Sequence, residues 1–244
     1  MNLLLLHHDE RVIPLADPRA VHIRTVLRLS VGDTVKAGLV NGPMGNATIT
    51  GESQSSLKLE FRAEGEPPPL PEVELLLGHP RPLVLRRLFR DLSAIGLKRL
   101  IVVHTDLGER SYFHASVWSQ LDSALLEGVA LGGSTRIPEV ERYHSIEAAI
   151  GAIEGDTILR VVPHLHDDPK HTDRRALPEL LAAHDRCPIV GAVGSERGWS
   201  ERELRCLLDA GFHGVSLGDR ILRTENAAAI VAWSMVTWYT GSSR

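Results

Sequence analysis

The chain has 244 residues, with 27 Lys and Arg against 31 Asp and Glu and a formal net charge of −4. That length buries one large core or two smaller ones, and the mild acidity excludes a protein that grips nucleic acid with its whole surface. Two cysteines, Cys187 and Cys206, make no disulfide framework and point to a reducing, cytoplasmic setting.

The chain opens on Leu3–Leu6, four leucines followed at once by His7 and His8. That run is too short for a secretory h-region or a membrane span. A helix is expected from Pro18 to Leu29, with Val21, Val26, Leu27 and Leu29 apolar and His22, Arg24 and Arg28 polar. Arg24 and Arg28, four apart, are candidates for phosphate contacts that position RNA without reading it. His7, His8 and His22 read as surface. Gly32-Asp33 resembles a tight turn, Asn41-Gly42 is a hairpin signal, and alternation in Asn46–Thr50 and Leu57–Phe61 predicts strands. These elements describe a small β-barrel with one helix, a type that binds RNA by shape.

Gly65-Glu-Pro-Pro-Pro-Leu-Pro71 holds four prolines in seven residues, which fits a stiff extended linker. It predicts a boundary between an RNA-binding unit over 1–66 and a second domain over 72–244. Beyond it strand and helix alternate, implying an α/β domain with a mostly parallel sheet. Val73–Gly78 is a strand; a helix follows to about Gly96, with Leu85, Leu88, Phe89, Leu92 and Ile95 at helical spacing. Arg81, Arg86, Arg87, Arg90 and Lys98 face a single acid, Asp91, in this stretch. They are either a solvated helix face or an RNA surface carried by Arg81, Arg86 and Arg90. Leu100–His104 and Thr157–Pro163 are strands, and Leu121–Leu131 is a helix stopped by Gly132-Gly133. His164, His166, His171, Asp167 and Asp168 match no metal-ligand spacing, so no metal is expected.

Two glycine-bearing loops end the pattern. Ile189–Val193 leads into Gly194-Ser-Glu-Arg-Gly198, then into a helix with a capping box at Ser200 and Glu203 and a stop at Gly211. Val215-Ser-Leu leads into Gly218-Asp-Arg-Ile-Leu-Arg-Thr-Glu225 and a last apolar helix to about Tyr239. Ligands of open α/β sheets sit where loops leave the carboxyl ends of strands. The polar residues Glu196, Arg197, Arg220, Arg223 and Glu225 therefore describe a site for a polar small molecule. The apolar last helix, with Trp233, Met235, Val236 and Trp238, is expected to be either core or a subunit contact. Its face bearing Trp233, Met235 and Trp238 is best covered by a second subunit.

Four segments carry a family likeness: His22–Asp33, Arg136-Ile-Pro-Glu139, Gly194–Gly198 and Leu217–Glu225. With the order of elements, they resemble the SPOUT methyltransferases, and within them the family that methylates uridine N3 in bacterial 16S ribosomal RNA. The resemblance spans nearly the whole chain. It implies a PUA-like barrel joined to a domain whose C-terminus is threaded into a trefoil knot around S-adenosylmethionine, in a homodimer with no metal and no membrane. It assigns cofactor contacts to Val162, Pro163, Val193, Gly194, Ser195, Glu196, Gly198, Leu217, Gly218, Ile221, Leu222, Arg223, Asn226 and Ala227. Arg223 first and Arg220 second are the candidates for stabilising charge on uracil O2 and O4 when N3 loses its proton.

The chain departs from the family's pattern at several places. Ser195 and Arg197 stand where the first loop has a proline and a glycine, Ser134 where an arginine is usual, and Asn226 where a threonine is usual. Asp91 and Ala94 replace a Lys and a Glu. These departures motivate two rival expectations: a knotted methyltransferase acting on a different RNA or site, and an RNA-binding protein that keeps the cofactor pocket without catalysis.

Overall fold

The computed structural model describes residues 2–155, 157–163 and 172–241. Five strands come first: β1 (Leu4–Leu6), β2 (Val12–Pro14), β3 (Thr34–Leu39), β4 (Met44–Glu52) and β5 (Ser56–Gly65), with α1 (Pro18–Val21) between β2 and β3. Their order in the sheet is β1-β3-β4-β5-β2. With β1 and β2 as its two edges, the sheet curls into a half-barrel, the form the expected small β-barrel takes here. Ala20 and Ile23 from α1 and the turn after it enter its core with Leu4, Leu6, Ile13, Ile49 and Leu57.

The opening leucines now have a reason. Leu4 and Leu6 face this core, while Leu3 and Leu5 pack on Val129 and Ala130 of a later helix. A strand buried on both faces needs a continuous apolar run. The expected helix to Leu29 is shorter: α1 widens into a π-type turn over His22–Val26, and Arg28 has φ +56°. Arg24 and Arg28 thus share no helix face. Asn41-Gly42 forms the hairpin turn, with Asn41 at φ +55°.

The second sheet has seven strands, all parallel, in the order β10-β12-β9-β11-β6-β7-β8. In chain order these are β6 (Val73–Gly78), β7 (Arg99–Val103), β8 (Glu139–Tyr143), β9 (Leu159–Pro163), β10 (Thr172–Ala176), β11 (Ile189–Val193) and β12 (His213–Ser216). The helices are α2 (Pro82–Ile95), α3 (Leu121–Gly132), α4 (Ile146–Gly151), α5 (Leu177–Ala182), α6 (Glu201–Asp209) and α7 (Thr224–Thr240). Side chains alternate between two cores, as the two-residue period of a strand requires. Leu75, Leu77, Leu100, Val102 and Ile189 face α2, α3, α5 and α7; Leu76, Ile101, Val103, Val190 and Ala192 face α4 and α6.

Along α7, Val231, Ala232 and Met235 are buried within the chain's own core. The partner face expected at Trp233, Met235 and Trp238 is therefore different: Met235 and Trp238 pack inward, while Trp233 and Ile230 are exposed at 59% and 43%. No described helix is long and apolar enough to cross a membrane.

Candidate active site

The carboxyl ends of β6, β9, β11 and β12 surround a cavity of about 740 Å³, within the range of roughly 300–1,000 Å³ usual for small-molecule sites. Arg81 and Val84 line one side, and Val193 to Trp199 a second. Pro163 and the stretch from Arg220 to Glu225, with Leu217 and Ala227, complete it.

The first loop folds back on itself. The Gly198 N–H donates to the Ser195 carbonyl at 2.8 Å, and the two residues pair as an isolated bridge. A Cβ on Gly194 would lie 2.7 Å from the Gly198 carbonyl carbon, so no larger residue keeps this hairpin closed. Below it, a Cβ on Gly78 would come within 2.6 Å of the Ser195 nitrogen. The end of β6 and the cavity loop are thus in direct backbone contact. Ser195 is buried beside Thr105, their hydroxyls 3.5 Å apart.

Glu196 accepts a 2.9 Å hydrogen bond from the Arg81 N–H, which lies at the start of α2. A carboxylate there caps an orphan donor and faces the positive end of the helix. Arg81, expected on an RNA surface, therefore lies at the cavity instead. Arg220 and Arg223 both line the cavity and are exposed, and among the described residues neither is ion-paired with a carboxylate. Arg223 is the residue before α7, and its carbonyl accepts the Ala227 N–H at 2.9 Å. Glu225 lies in the first turn of α7, where its charge suits the helix dipole.

Two buried rings adjoin the site. Trp199 lines the cavity and has a buried indole N–H without a partner. His79 is 2% exposed, with Nδ1 2.7 Å from the Pro80 carbonyl and Nε2 unpartnered. Burial pushes its pKa below the ordinary value, beyond what the Pro80 carbonyl restores. Beside a carbonyl oxygen, Nδ1 is the nitrogen that donates.

Of the residues assigned to the cofactor, Pro163, Val193, Gly194, Ser195, Glu196, Gly198, Leu217, Ile221, Leu222, Arg223 and Ala227 come together around the cavity. Val162 points into the opposite core. Asn226 is exposed and Gly218 is at φ +107°; neither is among the lining residues. Val84, Trp199 and Thr105 were not singled out as site residues in the sequence; Val84 and Thr105 come from elements far from the glycine loops, and Trp199 directly follows Gly198 without a motif of its own. Arg86 is exposed, Arg90 pairs with Asp91 and Glu127, and Arg24 pairs with Glu52. The His164–His171 cluster lies outside the described residues, and no group of metal-ligating side chains occurs among those described.

A parallel sheet with a ligand-sized cavity over the carboxyl ends of its strands has the usual arrangement of a small-molecule site in an α/β protein. The RNA methyltransferase domain family matches residues 66–237. Ribosomal RNA small subunit methyltransferase E of Treponema pallidum is 34% identical over 242 residues, covering 93% of this chain and 88% of that protein. The chain belongs to this family. Ribosomal RNA small subunit methyltransferase E 1 of Borreliella burgdorferi is 25% identical, with 97% of each chain covered. The fold matches the crystal structure of a ribosomal RNA small subunit methyltransferase E from Neisseria gonorrhoeae bound to S-adenosyl methionine, at a TM-score of 0.72 and 20% identity over 98% of each chain.

Proposed function

We propose that this chain is an S-adenosylmethionine-dependent methyltransferase that modifies N3 of a uridine in small-subunit ribosomal RNA, working as a cytoplasmic homodimer. The observation that carries the reading is one cavity closed by both glycine loops, with two unpaired arginines at it. Family membership supplies the reaction class and the kind of RNA.

The residues fit the cofactor. Val84, Val193, Leu217, Leu222 and Ala227 offer apolar walls for an adenine ring, and the tight Gly194–Gly198 hairpin brings backbone close to it. When bound, S-adenosylmethionine supplies a methyl group on a sulfonium, open to in-line attack. The protein's contribution is then alignment and charge. Loss of the N3 proton leaves negative charge on uracil O2 and O4. Arg223, and Arg220 beside it, supply guanidinium groups free of competing carboxylates to hold that charge. Arg223 is fixed at its backbone by the first turn of α7, which anchors the base of its side chain at the cavity.

The half-barrel over residues 1–66 is read as the RNA-holding unit and residues 72–244 as the catalytic one, with the chain knotted through the second loop. The exposed Ile230 and Trp233 on α7, beside that loop, are the natural contact for a second subunit. Purified protein should bind S-adenosylmethionine in a calorimeter and transfer labelled methyl to small-subunit RNA. Mass spectrometry of the nucleosides should then find 3-methyluridine. Methyl on any other atom overturns the N3 assignment, and absence of cofactor binding overturns the whole reading.

A further inference from the structure

Beside the cavity lies a second cluster that the methyl-transfer reading does not use. The chain between β7 and α3 winds through two short 3₁₀ turns, Arg110–His114 and Ser116–Gln120. It brings Tyr112, Phe113 and Trp118 against the end of β8. Arg142 of β8 places its guanidinium carbon 4.5 Å from the centre of the Trp118 ring and 5.3 Å from that of Phe113. Its Nη1 also donates to the Phe113 carbonyl at 3.4 Å. His144, one residue past the strand, lies with its ring centre 4.1 Å from Phe113 at a 37° tilt. Arg110, His114, Arg142 and His144 are all exposed.

This cluster is joined to the cavity. His79, two residues before Arg81, has its ring 5.6 Å from Trp118 and 6.1 Å from Tyr112. The Arg197 guanidinium donates to the Leu107 carbonyl, and Thr105 meets Ser195; both links end on cavity-lining residues. Two of the nearby carboxylates are engaged elsewhere. Asp106 is held by Arg202 and Ser200, and Glu141 by Arg99 and the Tyr143 hydroxyl. A surface of exposed cations resting on aromatic rings, next to a pocket for one base, matches the chemistry of unpaired RNA. Splayed bases stack on aromatic rings or guanidinium planes, while phosphates take the charge.

We propose that Arg142 and His144, seated on Phe113 and Trp118, form a stacking subsite for an unpaired nucleotide flanking the one in the cavity. Arg142 is held against two rings yet remains exposed, so its planar guanidinium is positioned where a base can stack. The subsite rests on the RNA substrate proposed above, but it concerns RNA binding and not methyl transfer, so the two can fail separately.

The test uses the full chain, a fluorescent single-stranded RNA oligonucleotide and the same oligonucleotide annealed to its complement. Arg142→Ala and His144→Ala should each weaken binding of the single strand by roughly tenfold, the size of losing one base stack. Binding of the duplex should change by less than twofold. Arg142→Lys, which keeps the charge but not the planar group, should stay nearer to the alanine variant than to the wild type. S-adenosylmethionine affinity, measured by calorimetry, should match wild type in all three, which also shows that they are folded. Single-strand affinity unchanged in both Arg142→Ala and His144→Ala overturns the subsite, as does equal loss for strand and duplex or full rescue by lysine. A wild type that binds the strand but transfers no methyl overturns the proposed activity and leaves the subsite standing.

Discussion

Arg19 and Arg24 in the half-barrel and Arg220 and Arg223 at the cavity live under opposite conditions. Arg19 of α1 is held by Glu10 at 2.6 Å and Asp17 at 2.7 Å, with a further bond to the Leu5 carbonyl, and its guanidinium is stabilised well above the ordinary value. Arg24 nearby is paired with Glu52. Arg220 and Arg223 line a cavity with no such partner, and Glu196, the carboxylate that might have neutralised them, is turned to the Arg81 N–H. A cation whose charge is already compensated contributes to folding; one left uncompensated beside a pocket is available for a ligand. Counting arginines along the sequence does not separate these two uses.

The largest effect expected from this contrast is at Arg223. Arg223→Ala should lower turnover by roughly two orders of magnitude or more, the size seen on removing one charge-stabilising donor. Cofactor affinity should stay within severalfold; normal turnover would transfer the role to Arg220. Next comes the loop itself. Gly194→Ala forces a Cβ against the Gly198 backbone and should cut S-adenosylmethionine affinity by roughly ten- to hundredfold, from strain of about 1–3 kcal/mol. Calorimetry reads this directly, and affinity within twofold of wild type would mean the hairpin opens freely.

A smaller effect belongs to the half-barrel. Arg19→Ala should lower stability by about 2 kcal/mol while leaving cofactor affinity unchanged. Its pH dependence has a definite sign. The Arg19 hydrogen bond, against the opposing effect of burial, holds the Asp17 carboxyl below its ordinary range. At Glu10 burial pushes upward, but the bonds from Arg19 and the His7 N–H outweigh it. Carboxyls depressed on folding stabilise the fold above their unfolded values, near pH 4.5 for Glu10, and lose that contribution as pH falls through the folded ones. Denaturant titrations should therefore show the wild-type advantage complete at neutral pH and vanishing on acidification. The smallest difference lies on the surface. Arg86→Glu should flatten the salt dependence of RNA binding by about one unit of slope. Arg24→Ala, already paired, should change it less, and equal slopes would erase the distinction between paired and unpaired cations.

Much of the parallel sheet was legible because its signals are local. The apolar runs Val73–Gly78 and Ile189–Val193 are strands at those bounds, and α2 spans Pro82–Ile95 with Gly96 at φ +91°. The capping box also forms: Ser200 accepts from the Glu203 N–H at 3.1 Å, and Glu203 from the Ser200 N–H at 2.8 Å. The same buried Glu203 accepts the Asp106 N–H, a second duty set by a loop far away in sequence. The strand Glu139-Val-Glu-Arg-Tyr143 was missed because it is a charged edge with no apolar run. The site followed the same rule. The two glycine loops announce themselves, whereas Arg81 and Val84 reach the cavity only through the crossing of strands that are distant in sequence. Asn226 was drawn in by its place in a motif, yet helical rotation leaves it exposed.

The seating of α7 carries a consequence for biosynthesis. Val231 and Met235 occupy the space that a side chain at Gly191 would need, and the core they complete begins at Val73. Until α7 has been made, β6 and β11 keep one apolar face uncovered. Closing this core joins segments far apart in the chain, a slow step that leaves exposed surface while it waits. A nascent chain stalled before Thr224 should therefore hold a formed half-barrel beside an open, protease-sensitive sheet, and should recruit chaperones through that sheet alone.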